Sequence, residues 1–220
     1  MPTSHSFQLN EIVMLIKESQ PKSVLDVGVG FGKYGFLARE FLDLWDGREK
    51  YSDWRVRVDG IEVFEEYLTP VHKFVYNKIH IGNALETLPK LKERYDLILL
   101  IDVVEHVERD EAIKLLKQCA KIGRDMIIST PKDIGIQTDS FDNHFETHKF
   151  QWQAKDIREV TQADYFCVPN RHSFIYFVGP SATKIERTVE DLIVSGIKAQ
   201  LPPLPGKVIR PILRKQMRRD

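Results

Sequence analysis

Ser23-Val24-Leu25-Asp26-Val27-Gly28-Val29-Gly30-Phe31-Gly32 is the stretch on which the reading of this chain turns. Apolar residues run into one acid, and glycine then recurs at every second position. A buried strand followed by a turn without Cβ atoms accounts for both halves. Glycine lets a backbone take left-handed torsions and lets a ligand approach closely. In open α/β sheets, ligands sit at the carboxyl ends of strands, where the strand order switches.

Outward from this stretch, apolar spacing alternates between two periods. Helical spacing predicts helices over Phe7–Ser19, Phe31–Leu44, Tyr67–Tyr76, Glu111–Ile122, Ala154–Gln162 and Thr183–Ser195. Short apolar runs predict strands at Val24–Val27, within Trp54–Val63, and at Ile79–Ile81, Tyr95–Ile101, Met126–Thr130, Tyr165–Val168 and Ser173–Val178. Tyr95–Ile101 is apolar almost throughout, as suits a strand covered on both faces. Strands alternating with helices imply an α/β fold with helices on both faces of a mostly parallel sheet. The last two strands follow each other closely, so a seven-stranded sheet with an antiparallel last strand is expected. Gly47–Asp53 is polar and turn-like, and Asp133–Gln151 is a long polar loop carrying aromatic residues.

Length and composition narrow the classes. The 220 residues suffice for one domain with a sizeable core. Lys+Arg and Asp+Glu each total 32, so no overall positive field exists to gather nucleic acid. Cys119 and Cys167 show no metal or disulfide spacing and read as free thiols, which fits a reducing cytoplasm. No apolar run approaches the ~20 residues of a membrane span, and the N-terminus shows no basic-then-apolar pattern.

Four acids and amides stand at strand ends. Asp26 closes the first strand, Glu62 the second, Asn83 follows the third, and Asp102 ends the fourth. Gly30-Phe31-Gly32-Lys33-Tyr34-Gly35 formally matches the GxGxxG dinucleotide pattern. The acid expected ~20 residues later falls in the polar excursion, whereas Glu62 is the strand-end acid. Either ligand class would use such an acid to hold a ribose diol.

Taken together, Asp26-x-Gly28-x-Gly30-x-Gly32, Gly60-Ile61-Glu62-Val63, Gly82-Asn83-Ala84-Leu85 and Tyr95 through His106 resemble, in order, the motifs of class I S-adenosylmethionine (SAM)-dependent methyltransferases. The resemblance covers Val24 to Val178. It implies a Rossmann-like domain over residues 1–196 with an N-terminal helix or lid at 6–22. It also implies SAM as cofactor and S-adenosylhomocysteine (SAH) as product. The implied cofactor contacts are Asp26, Gly28, Val29, Gly30, Gly32, Tyr34, Glu62, Val63, Asn83, Ala84, Asp102 and Val103. Many relatives carry Asp where Asn83 stands; Asn can accept from the adenine amino group through its carbonyl oxygen. In this family a histidine at His106 lies near the methionine end of the ligand, and a helix-start cap is its bland alternative.

Asp142-Asn143-His144-Phe145-Glu146-Thr147-His148-Lys149-Phe150-Gln151-Trp152 is the second dense constellation. If extended, it sets His144, Glu146 and His148 on one face. A His or Glu there could take a proton from an attacking hydroxyl or amine. Two imidazoles and a carboxylate are also a candidate divalent site, although no helical HExxH spacing supports it, and ordinary loop hydrogen bonding is the third reading. Its Asn-x-x-Glu-x-His-x-x-x-Trp spacing is similar to a loop of some small bacterial methyltransferases with unassigned substrates.

The tail over 197–220 holds seven Lys or Arg residues from Lys198 to Arg219. Val208, Ile209, Ile212, Leu213 and Met217 recur at helical spacing, and Pro211 suits a first turn. A solvated tail, an anionic membrane surface and a partner subunit, including a second copy, all fit. The chain is thus expected to be a cytoplasmic SAM-dependent methyltransferase with a small-molecule or a glycan- or lipid-linked acceptor, at oxygen before nitrogen, and no nucleic acid. A nicotinamide-dependent oxidoreductase and a non-catalytic SAM-binding subunit are the alternatives.

Overall fold

The protein is seen in a computed structural model, which describes residues 3–44, 50, 53–160, 163–200 and 206–217. Seven strands form one sheet: β1 Ser23–Val27, β2 Arg57–Glu62, β3 Lys78–Ile81, β4 Tyr95–Ile101, β5 Gly123–Pro131, β6 Tyr165–Cys167 and β7 Ser173–Val178. Their order is β3-β2-β1-β4-β5-β7-β6, and only β7 runs against its neighbours. The expected seven-stranded α/β sheet with an antiparallel last strand is what forms. The order reverses between β1 and β4, so the switch point opens beside the glycine turn.

The helices α1 Leu9–Ser19, α2 Lys33–Arg39, α3 Pro70–Val75, α4 Ala84–Thr87, α5 Arg109–Ile122, α6 Ala154–Val160, α7 Ala182–Gln200 and α8 Gly206–Met217 cover both faces. Two apolar clusters result. One gathers Ile12, Leu15 and Ile16 of α1 with Val24, Leu97, Ile127 and Phe177; the other gathers Leu25, Ile98, Leu100, Leu115, Ile128 and Trp152. The alternation along β1 and β4 sends successive side chains to opposite clusters.

The second strand occupies Arg57–Glu62 within the expected stretch, and a 3-10 turn over Glu65–Tyr67 replaces the start of the expected third helix. Pro70 sits in the first turn of α3, with Thr69 and His72 closing a capping box. Most of the excursion at 47–53 and Gln162 lie outside the described residues. The tail differs from expectation more usefully. Residues 206–217 form α8 with Pro211 inside it, and Ile209, Leu213 and Met217 are buried in the first cluster. Arg214 reaches buried Glu190 of α7 at 2.7 Å. Three residues of the apolar stripe are therefore spent on the core, while Ile212 stays exposed. Both cysteines are free and buried. Among the described residues no helix is long and apolar enough to cross a membrane.

Two buried polar knots fix β1 and β2. Arg39, almost wholly buried, donates to the carbonyls of Val75 and Val56, to Asn77, and to Asp43 at 3.0 Å. Asp43 in turn accepts the amides of Arg55 and Val56. Asp26 accepts the Tyr76 hydroxyl at 2.6 Å, and α2 passes so close above Tyr76 that a Cβ on Gly35 would stand 2.2 Å from its ring. Burial pushes the Asp26 carboxyl up to about 7, against the pull of the Tyr76 hydrogen bond.

Removing one member of a buried pair strands the other charge, at a cost of about 3–5 kcal/mol. Asp43→Ala should lose stability on that scale in urea unfolding. Asp26 has the opposite character. Its folded pKa lies above the unfolded one, so the stability it contributes is complete below about pH 4 and is lost as pH rises through about 7. Asp26→Asn keeps an acceptor for Tyr76 but cannot ionise. Its unfolding free energy should therefore gain on the parent's between about pH 4 and pH 7 and level off above that.

Candidate active site

Between the carboxyl ends of β1, β2, β4 and β5 lies a cavity of about 510 Å³. Its floor is the glycine turn. Gly28 has φ +78°, and a Cβ there would meet Val103 Cγ2 at 2.7 Å, so only glycine keeps the floor open. Glu62 ties this turn to β2: one carboxylate oxygen accepts the Gly30 amide at 2.8 Å and the other the Phe64 amide at 2.9 Å. Burial raises the Glu62 pKa, and those amides pull it back. The residue still lines the cavity, and its carboxylate keeps lone pairs beyond the two that these amides use.

Ten of the twelve expected cofactor contacts line this cavity: Gly28, Val29, Gly30, Tyr34, Glu62, Val63, Asn83, Ala84, Asp102 and Val103. Asp26 and Gly32 do not. The Asp26 carboxylate is turned into the core toward Tyr76, because a hydroxyl 50 residues away in sequence offers it a partner. Gly32 is the left-handed residue before α2 and faces His72. Asn83 lines the cavity, but its carboxamide oxygen already accepts the Leu85 amide as the cap of α4. One lone pair of that oxygen is used by the cap, which leaves its second lone pair and the NH₂ group for a ligand.

Asp102 stands at φ +54° at the end of β4. Gln8 donates to one of its oxygens at 2.6 Å and Ser129 to the other at 2.8 Å. It is thus the post on which the N-terminal segment closes. Thr3, Ser4, His5 and Phe7 line the cavity, while α1 itself is built into the core. The N-terminal residues that reach the cavity therefore precede α1.

The long loop after β5 forms the opposite wall. Lys149 and Phe150 donate their amides to the Glu105 carbonyl at 2.8 and 3.3 Å, and the fully buried Trp152 indole donates to the Val104 carbonyl at 2.9 Å. These bonds lay the loop on the 3-10 turn Val104–His106, and the imidazoles of His106 and His148 meet with ring centroids 4.9 Å apart. The expected extended face fails. Residues 144–146 form a 3-10 turn capped by Asn143, so His144 is exposed and packs tilted against Phe145 while Glu146 turns inward. His144 is not a cavity residue; His106, Glu146 and His148 are.

Glu146 accepts the Tyr67 hydroxyl at 3.1 Å, and Asn143 donates to the same hydroxyl at 3.0 Å. Burial, helped by the Glu146 charge, raises Tyr67 to about 12, so it stays a donor. Desolvation lowers both imidazoles, His106 to about 4, so both are neutral near pH 7. Burial holds Glu105 well above the carboxylate range, reinforced by the charge of Asp102. Tyr67 and Glu105 were absent from the expected site. Tyr67 reaches it across 79 residues of sequence, which no local pattern marks; Glu105 was flagged only by standing beside His106.

No protein-family model matches the chain. It is 27% identical over 202 residues to an uncharacterized protein of Methanocaldococcus jannaschii, covering 90% of this chain and 77% of the relative. Among solved structures, it is similar to the N-terminal domain of EvdMO1, solved in the presence of SAH and D-fucose. That likeness has a TM-score of 0.56 at 15% identity, over 80% of this chain and 84% of the other. A SAM-dependent methyltransferase from Archaeoglobus fulgidus gives a TM-score of 0.54 at 14% identity, over 78% and 90%. The chain has the Rossmann-like fold of the SAM-dependent methyltransferases.

Proposed function

We propose that the protein is a SAM-dependent methyltransferase that methylates a hydroxyl oxygen on a small-molecule or a glycan- or lipid-linked acceptor. One observation carries this reading: a single cavity joins the glycine turn, Glu62 and Asn83 at one end to His106, Glu146 and His148 at the other. The first end fits a nucleoside. It has a floor that a Cβ at Gly28 would fill, a buried carboxylate facing inward and an amide at a helix cap. The second end fits a nucleophile that must lose a proton. The SAH-bound neighbour of like fold supports the cofactor.

Bound SAM would supply an activated methyl group, which leaves the chain's residues to align, to exclude water and to take a proton. Glu62 and Asn83 hold the nucleoside end. The backbone from Gly28 to Gly30 fixes its approach, and Tyr34 with residues 3–8 closes the mouth. At the other end Glu146 is the base. Its carboxylate lines the cavity, and the Tyr67 hydroxyl orients it through Oε1. Glu146 would take the acceptor's proton as its oxygen gained the methyl group that bound SAM would supply, SAH being the leaving group.

Titration calorimetry should show SAM and SAH binding and no comparable NAD binding; tight NAD binding without SAM would overturn the reading. Glu62→Gln should weaken SAH by about 10–100-fold, the worth of hydrogen bonds to a charged group. Gly28→Ala should weaken it at least as much, since its Cβ displaces Val103. With labelled SAM and a pool of cell metabolites, Glu146→Gln should cut methyl transfer by about 10²–10⁴ at unchanged SAH affinity. Loss of SAH binding in that variant would instead assign Glu146 to the cofactor.

A further inference from the structure

We infer that Glu105, His106 and His148 form a binding site for one first-row divalent transition cation, whose open positions take the acceptor's oxygen. The inference refines the methyltransferase reading given above. One ligand atom from each residue lies within 4.8 Å of the others. Ligands of one ion with bonds of ~2.1 Å stand roughly 3–3.5 Å apart. Side-chain rotations of about an ångström close that difference.

The state of Glu105 is the independent observation. It is fully buried, and neither carboxylate oxygen has a hydrogen-bond partner among the described residues. The Thr130 hydroxyl faces it without closing a bond of good geometry. A buried carboxyl group without partners is costly whether it ionises or stays protonated, and a bound cation is one of the few groups that would stabilise its ionised form there. Asp102 and Glu146 add further negative charge around the same point.

The imidazoles are already set as ligands. His148 Nδ1 lies 2.6 Å from the Ile134 carbonyl, and His106 Nδ1 lies 3.4 Å from that of Thr147. A carbonyl can only accept, so each Nδ1 carries the hydrogen and each Nε2 keeps its lone pair. Backbone support of this kind fixes the tautomer and aim of metal-bound histidines. Two imidazoles and one carboxylate suit Mn²⁺, Co²⁺ or Zn²⁺ better than Mg²⁺ or Ca²⁺. Three protein ligands leave positions open toward the cavity, which all three residues line. An acceptor hydroxyl bound there is acidified and held at the methyl-accepting end. Its proton passes to Glu146, its oxygen bonds to the methyl carbon, and sulfur keeps the electron pair of the broken bond. An acceptor with two adjacent oxygens fills two positions at once.

The test uses the full chain stripped with EDTA, without SAM or acceptor. Titration with Mn²⁺, Co²⁺ and Zn²⁺ by calorimetry should give one site, and Co²⁺ should give a visible d–d spectrum. Glu105→Gln should weaken binding at least 100-fold and abolish that spectrum, with folding checked by circular dichroism and melting temperature. His148→Asn, at a half-buried ring, is the second variant and decides the matter if Glu105→Gln does not fold. No binding by the parent, or parent-like binding in His148→Asn, overturns the site. Because SAH binding is read separately, the cation site can fail while the methyltransferase reading stands, and the reverse.

Discussion

The return of the 132–153 loop onto the turn after β4 is the constraint on which the site depends. Two amides on the Glu105 carbonyl and the Trp152 indole on the Val104 carbonyl hold it there. Each such bond contributes only about 1 kcal/mol net. Trp152 adds the burial of its whole side chain, so the anchor is mostly hydrophobic and its direction is polar. Without it His148 would have no reason to stand beside His106, and the far wall of the cavity would be open to water.

The near wall depends on a different kind of economy. Glu62 holds the Gly30 and Phe64 amides while keeping its carboxylate at the cavity. Asp102 holds Gln8 and Ser129 while ending β4 in a left-handed residue. Such residues serve structure and site at once. The fold can therefore keep acids buried at a site that would otherwise expel them, each stabilised by donors from a different element.

Period and composition made the sheet legible. A parallel strand buried on both faces has to be apolar throughout, and Tyr95–Ile101 shows it. The glycine turn was legible too, since a left-handed backbone under Val103 leaves glycine as the residue that fits. The tail was only half legible. Its apolar stripe at helical spacing was plain, but whether Ile209, Leu213 and Met217 met a membrane, a partner or the chain's own α7 depends on distance in space. The loop failed at one point for a local reason: Asn143 caps a 3-10 turn that breaks the period of two, and His144 leaves the cavity.

The sequence by itself determined the strands and most of the residues that line the glycine-turn end of the cavity, because these obey local rules of period, glycine torsion and strand-end acids. Tertiary structure alone decided which polar groups are paired. It gave Asp26 to Tyr76, Glu146 to Tyr67 and His148 to a place beside His106, and it left the buried Glu105 carboxyl without a hydrogen-bond partner among the described residues. These are contacts across tens of residues, where desolvation makes each pairing matter and no periodicity in the chain records it.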